Sequence, residues 1–235
     1  MAATEAGFNG IVANQHHGLR RQLEDGIRGM LLDVYEENGE RWLCHGMCAL
    51  GKIPHVDAIA ELGGFLMDEP GEIVVLIYED HASADAIAQD WSASGFEGLL
   101  YAKGDTGWPT LGELVAANTR VIATAENGGP PPAWFHHVWD LAWDTPYTFH
   151  AIDELSCELN RGSTDNDLFL VNHWVSTELD LPDASAAADT NAAAVLQARI
   201  DECTARWRHP VNLLAVDFYD EGDLIAVVDA ANGLL

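Results

Sequence analysis

Short apolar runs punctuate this chain, and six of them end on an ionisable side chain. Met30–Leu32 runs into Asp33, and Trp42–Cys44 runs into His45, with the turn-like Glu36-Glu37-Asn38-Gly39-Glu40 between them. An apolar run bounded by turn residues marks a buried strand. Strands are therefore expected at Ile27–Tyr35 and Arg41–His45, each placing its charged group at a sheet edge. Ile73–Tyr78 (IVVLIY) is apolar at every position and stops on Glu79-Asp80-His81. Such a run fits a strand covered on both faces, the condition of parallel sheets. Val121–Ala125 ends at Glu126, Asp167–Trp174 closes on Asn172-His173, and Val211–Val216 stops on Asp217.

Helical spacing fills the intervals. Leu19, Leu23 and Ile27 follow His16-His17, and an apolar stripe runs from Val56 to Met67. Further helices are expected over residues 83–93, over Thr110–Ala117 with Leu111 and Leu114 inward, and over Ala192–Trp207 with Leu196, Ile200, Cys203 and Trp207 on one face. Leu99–Ala102 reads as a short strand. The triple proline at 130–132 and the Trp-rich stretch to Trp143 read as a long loop or short helix, and an Ala/Asp-rich loop precedes Ala192. No internal repeat or linker interrupts residues 1–235, which read as one domain.

Alternating strands and helices with short connections predict a parallel α/β architecture. In a (β/α)₈ barrel the C-terminal strand ends share one mouth, where catalytic groups gather; a doubly wound sheet would offer only its switch point. Charged groups at six strand ends favour the barrel. Fewer than eight strands can be counted, so a distorted (β/α)₈ TIM barrel is expected, incomplete at the N-terminus.

The charge narrows the partners. With 11 basic and 38 acidic residues the net charge is −27. That excludes a nucleic-acid partner, which needs clustered cations, and an anionic membrane surface would repel the chain as a whole. Membrane contact is thus peripheral at most, and a monomer is expected. No apolar run reaches the length of a membrane span, and residues 1–10 read as neither signal peptide nor strand. Cys44, Cys48, Cys157 and Cys203 lack the second close Cys/His pair that a zinc site needs. They are read as two disulfides, Cys44–Cys48 and Cys157–Cys203, with four reduced core thiols as the alternative. Disulfides imply an extracytoplasmic or secreted protein whose export signal is absent from this chain; reduced thiols would fit the cytoplasm.

NQHHGLRRQLEDGIRGMLLDVY, WLCHG, PGEIVVLIYEDH, CELNRG, LFLVNHW and NLLAVDFYDEGDL resemble, in this order, the phosphatidylinositol-specific phospholipase C X-domain-like phosphodiesterases. The resemblance covers nearly the whole chain and rests on the order of the six segments. It implies a distorted TIM barrel and cleavage of a phosphodiester, such as a phosphoinositide, by a neighbouring substrate hydroxyl, giving a cyclic phosphate. It also places His45 as general acid, Asp33 as the carboxylate that supports it or binds metal, Asp217 as the carboxylate that orients the general base, and Glu79 as a calcium ligand.

Two departures stand out. The family's first histidine belongs to a Thr-His-Asn motif ending its first strand, which should finish about where this sequence starts. That strand and the general base are therefore expected to be missing here. Tyr35 stands where metal-independent members place a phosphate-holding Arg. The positive charge must then come from elsewhere: Arg161, or a divalent cation on Asp33 and Glu79. Oxygen ligands point to Ca²⁺, with Mg²⁺ second, and no organic cofactor is expected. Each residue also has a structural alternative. Asp33 and Asp217 could cap helices, Glu79 could lie in a solvated turn, Arg161 could brace a loop, and His173, otherwise lining the substrate mouth, could be a bonded core histidine. A catalytically inactive barrel binding a phosphorylated ligand or partner is the competing reading.

Overall fold

The computed structural model describes residues 13–46, 48–104 and 107–234. The opening stretch, expected to be neither leader peptide nor strand, lies outside them. The chain forms two compact units, residues 17–138 and residues 139–234 with Asn14–His16.

In the first unit, α1 (Leu19–Glu24) precedes β1 (Gly29–Glu37). The chain then reverses at Asn38-Gly39, with φ of 56° and 81°. Positive φ at both central residues is what an Asn-Gly hairpin turn supplies without strain. β2 (Glu40–Leu43) returns antiparallel to β1, and β3 (Ile53–Pro54) pairs antiparallel with β2. This corrects the all-parallel expectation: the second apolar run reaches the first through a tight hairpin, with no crossover helix. From there the parallel pattern holds. α2 (His55–Asp68) leads to β4 (Val74–His81), and α3 (Ala84–Ser94) and α4 (Leu111–Ala117) lead to β5 (Val121–Ala125). β6 (Phe135–His137) completes a six-stranded sheet in the order β3-β2-β1-β4-β5-β6.

Alternation along the strands divides the sheet into two faces. Met30, Leu32 and Val34, Val74, Leu76 and Tyr78, and Val121, Ala123 and Ala125 pack with Leu62, Phe65, Leu66, Ile87 and Trp91 of the helices. Each large side chain removed from water there contributes about 1.5–3 kcal/mol. The other face of β1 and β4 carries Leu31, Asp33, Tyr35, Ile77, Glu79 and His81. Two expectations fail in this unit. Leu111 is the first residue of α4 and is 68% exposed, so only Leu114 packs inward. Leu99–Ala102 makes a single bridge, Leu100 to Val121, after a 3₁₀ turn, and is no strand.

In the second unit, β7 (Ala142–Asp144), β8 (Leu168–Asn172) and β9 (Leu213–Ala215) form a parallel sheet in sequence order. The stretch read as loop from 130 to 143 thus contributes β6, a 3₁₀ turn and the start of β7. The Ala/Asp-rich segment holds a helix, α5 (Ala184–Thr190), begun by Asp183, whose carboxylate accepts the Ser185 amide at 3.0 Å. α6 (Ala193–Trp207) follows, with Leu196 and Cys203 buried as expected, and α7 (Leu224–Ala231) ends the fold. Trp143 stacks on Phe169 at 3.6 Å, and Trp207 meets Trp143 edge-on at 5.2 Å. The Cys157–Cys203 disulfide lies in the same cluster.

Asn14–His16 joins this second unit. The Gln15 amide donates to Val216 O at 2.9 Å and accepts from the Tyr219 N–H at 3.0 Å. Phe218 N–H donates to Asn14 O, and His16 Nδ1 lies 3.0 Å from Asp220. The motif at the start of the chain therefore fastens the segment following β9.

Candidate active site

Asp33 and Glu79 are register partners across the parallel β1–β4 ladder, and Tyr35 and His81 are the next pair on the same face. The strands run on past the carboxylates, β1 to Glu37 and β4 to His81. The acids therefore stand on a sheet face, not at a strand end, which corrects the expected placement. The Tyr35 and His81 rings stack at 4.2 Å, and His81 Nε2 lies 2.8 Å from Glu79 Oε1. Burial pushes the Asp33 carboxyl above the usual carboxylate range, and the Glu79 charge adds to it. His45 and His81 pull in the opposite direction. Burial likewise raises the Tyr35 phenol, reinforced by the Glu79 and Asp33 charges.

His45 reaches this face through the hairpin. The β1–β2 ladder ends at Val34 and Leu43, and the next amide, Cys44 N–H, donates to Asp33 O at 3.2 Å. One residue further, the half-buried His45 is electrostatically coupled to the Asp33 carboxylate. The Cys44–Cys48 disulfide closes the loop that carries it. Both disulfides read from the sequence are thus present, and no described cysteine is free.

Asp33 and Glu79 are the pair expected to hold a cation. Among the described residues no group of three or more His, Cys, Asp or Glu side chains could hold a metal ion. Calcium takes about six to eight oxygen ligands, of which Asp33 and Glu79 would supply the carboxylates.

The remaining candidates lie in the second unit. Arg161 grips Asp144, a fully buried carboxylate at the end of β7, through Nη2 at 2.6 Å and Nε at 3.0 Å. Its backbone N–H donates to the same group at 2.8 Å, and its guanidinium lies 4.2 Å from the Trp139 ring centre. His173 is fully buried; its Nε2–H donates to Thr190 O at 2.8 Å, and burial holds its pKa below the usual value. Asp217 follows β9 half-buried, its carbonyl accepting from the Asn191 amide at 2.9 Å. It lines a small pocket with Trp174, Asp183 and Asn191. Sequence reasoning missed Asp144, which ends a three-residue strand hidden in a Trp-rich stretch, and the Tyr35–His81 stack, which only strand register creates.

The PI-PLC X family model (PI-PLC X 1) matches residues 2–232. This chain belongs to the PI-PLC X family. A PI-PLC X domain-containing protein of Arthroderma benhamiae is 26% identical over 94% of this chain and 79% of its own length. An uncharacterized secreted protein of the same fungus is 24% identical, and a PI-PLC X domain-containing protein of Arabidopsis thaliana is 26% identical. The chain spans about half the length of these last two relatives, 54% and 55%. Among solved structures, the phosphatidylinositol-specific phospholipase C of Listeria monocytogenes superposes over 93% of this chain and 82% of its own, with a TM-score of 0.61 at 15% identity. A Staphylococcus aureus phosphatidylinositol-specific phospholipase C reaches 0.66 at 12% identity, over 93% of this chain and 85% of its own. At such identities the likeness is one of fold. The α/β architecture is that of the distorted TIM barrel of these enzymes, and the chain is a phospholipase C-like family member.

Proposed function

We propose that this PI-PLC X chain cleaves a phosphoinositide or related phosphodiester by attack of the neighbouring hydroxyl of the substrate. The hydroxyl oxygen bonds to phosphorus, the bond to the leaving alkoxide breaks, and a cyclic phosphate remains. A departing alkoxide needs a proton, and an imidazole is the usual donor near neutral pH. His45 fills that role with the Asp33 carboxylate beside it, and the hydroxyl proton passes to water. The observation that carries this reading is the arrival of His45, by way of the hairpin, beside the buried Asp33 on the face shared with Glu79.

The test is release of cyclic inositol phosphate from phosphatidylinositol, comparing the wild type with His45→Ala, in calcium and in chelator. The wild type should release product and His45→Ala should not. Loss of activity in chelator would support a calcium ion held by Asp33 and Glu79, and an unchanged rate would remove it from the mechanism. The second reading, a binding barrel without turnover, draws on the Arg161 guanidinium being already engaged by Asp144. Phosphatidylinositol binding without product would favour it. An extracytoplasmic setting fits both readings, given two disulfides and a relative named as secreted.

A further inference from the structure

The loop that carries His45 is fastened more often than its length requires. Leu43 pairs with Ile53 and Trp42 with Pro54, so the strands on either side already close residues 44–52 into a loop. Inside that closure, Cys44 and Cys48 form a second one with a sequence separation of 4. Cys44 is wholly buried and hydrogen-bonded through its amide to Asp33 O; Cys48 is 9% exposed and opens a 3₁₀ turn. Between them Gly46 turns the backbone at φ 71° and faces the Tyr35 phenol. The inner loop therefore lies over the face that carries Asp33 and Tyr35.

The stabilising effect of a disulfide grows with the loop it closes, so a separation of 4 is the weak case and Cys157–Cys203, at 46, the strong one. What a small ring does is fix direction. With Cys44 alone attached to β1, one end of the His45 segment is tied to the sheet; with Cys48 tied back, both ends are held. We infer that the Cys44–Cys48 disulfide is a positioning clamp that aims the His45 imidazole at Asp33 and at the leaving-group oxygen. This rests on the reading of His45 as general acid.

The test compares wild type, Cys44→Val/Cys48→Ala, and Cys157→Ala/Cys203→Ala as a control, all checked for folding by circular dichroism. Each is assayed on two soluble inositol phosphodiesters, one with an alkyl and one with a nitrophenyl leaving group. A nitrophenolate leaves without a proton and an alkoxide does not. Opening the clamp should therefore lower kcat about tenfold or more on the alkyl diester, change it less than about twofold on the nitrophenyl one, and leave KM nearly constant. The control should keep both rates. Equal losses on the two substrates, or none, would overturn the clamp. A readout independent of turnover is the His45 ring proton resonance. It should respond to Asp33→Asn in the oxidised protein and cease to respond once Cys44 and Cys48 are replaced. A response that persists, or one absent from the start, overturns the inference. If the oxidised protein cleaves neither diester while the resonance behaves as described, the proposed activity falls and only the hold of the disulfide on His45 beside Asp33 stands.

Discussion

His45 and Asp33 mark the difference between a residue found by its sequence surroundings and one found by its neighbours. Both could be seen in advance because each interrupts an apolar run. The Tyr35–His81 stack and the place of Asp144 could not, because strand register and a buried ion pair, not local sequence, give these residues their partners. Replacing His45 with Ala should cost on the order of 10²–10⁴ in kcat on phosphatidylinositol, the usual worth of a general acid, with little change in melting temperature. Another chain of polar side chains does structural work on the helix-facing side of the same sheet. Arg41 pairs with Asp90; His55 Nδ1–H donates to Asp90 at 2.9 Å; Tyr78 O–H donates to His55 Nε2 at 3.1 Å; and Trp91 Nε1–H donates to the Tyr78 oxygen at 3.2 Å. Burial holds the His55 pKa below its ordinary value despite Asp90, so the imidazole is neutral in the fold. The unfolded chain then takes up the proton more readily, and stability falls as pH drops below about 6.5. Burial pushes the Asp90 carboxyl up, but its bonds from His55 and Arg41 outweigh that and hold it low, so it too loses stabilisation on acidification. Thermal melts from pH 7.5 to 5 should show this decline, and His55→Gln should flatten its upper part. A slope unchanged by the substitution would assign the decline to other groups.

Elements were legible where one face had to be apolar. The run at 121–125 and the stripe at 56–67 became β5 and α2 almost to the residue, because burial forces a period on the sequence, while the run at 73–78 became a β4 that continues through His81. The short pieces were not legible. β6 and β7 are three residues each, too brief to show alternation, and α5 is built from Ala and Asp without an apolar stripe. The hairpin direction was also missed, although Asn38-Gly39 announced it. That turn positions the candidate acid, so Gly39→Ala should cost about 1–2 kcal/mol through its left-handed backbone. It should also lower kcat by displacing β2. A variant that loses stability and keeps its rate would show that β2 holds its place without the turn. The two disulfides divide differently. Cross-linking at a separation of 46 stabilises by about 4 kcal/mol and at 4 by about 2 kcal/mol. For a chain of this size that predicts melting temperatures lower by roughly 8–16 °C for Cys157→Ala/Cys203→Ala and about half that for the other pair.

For the molecule as a whole, charge sets the terms of encounter. A net charge of −27 repels anionic surfaces over about 10 Å at 0.1 M salt, and more at lower salt. Cleavage of phosphatidylinositol in anionic vesicles should therefore speed up severalfold between 10 and 150 mM salt, whereas a neutral-surfaced vesicle carrying the same headgroup at low density should show little change. Similar salt curves for the two vesicles would mean that encounter is not electrostatically limited. Among the described residues no helix is long and apolar enough to cross a membrane. Order of synthesis is a further matter. Gln15 is made well before its partners, since Val216 and Tyr219 lie 201 and 204 positions downstream. On a ribosome that side chain must wait, solvated, while the central parallel strands assemble, and only the synthesis of Tyr219 lets the second unit close. A stalled or shortened chain would leave this early segment without its acceptors, a form that a protease or chaperone could distinguish from the finished protein.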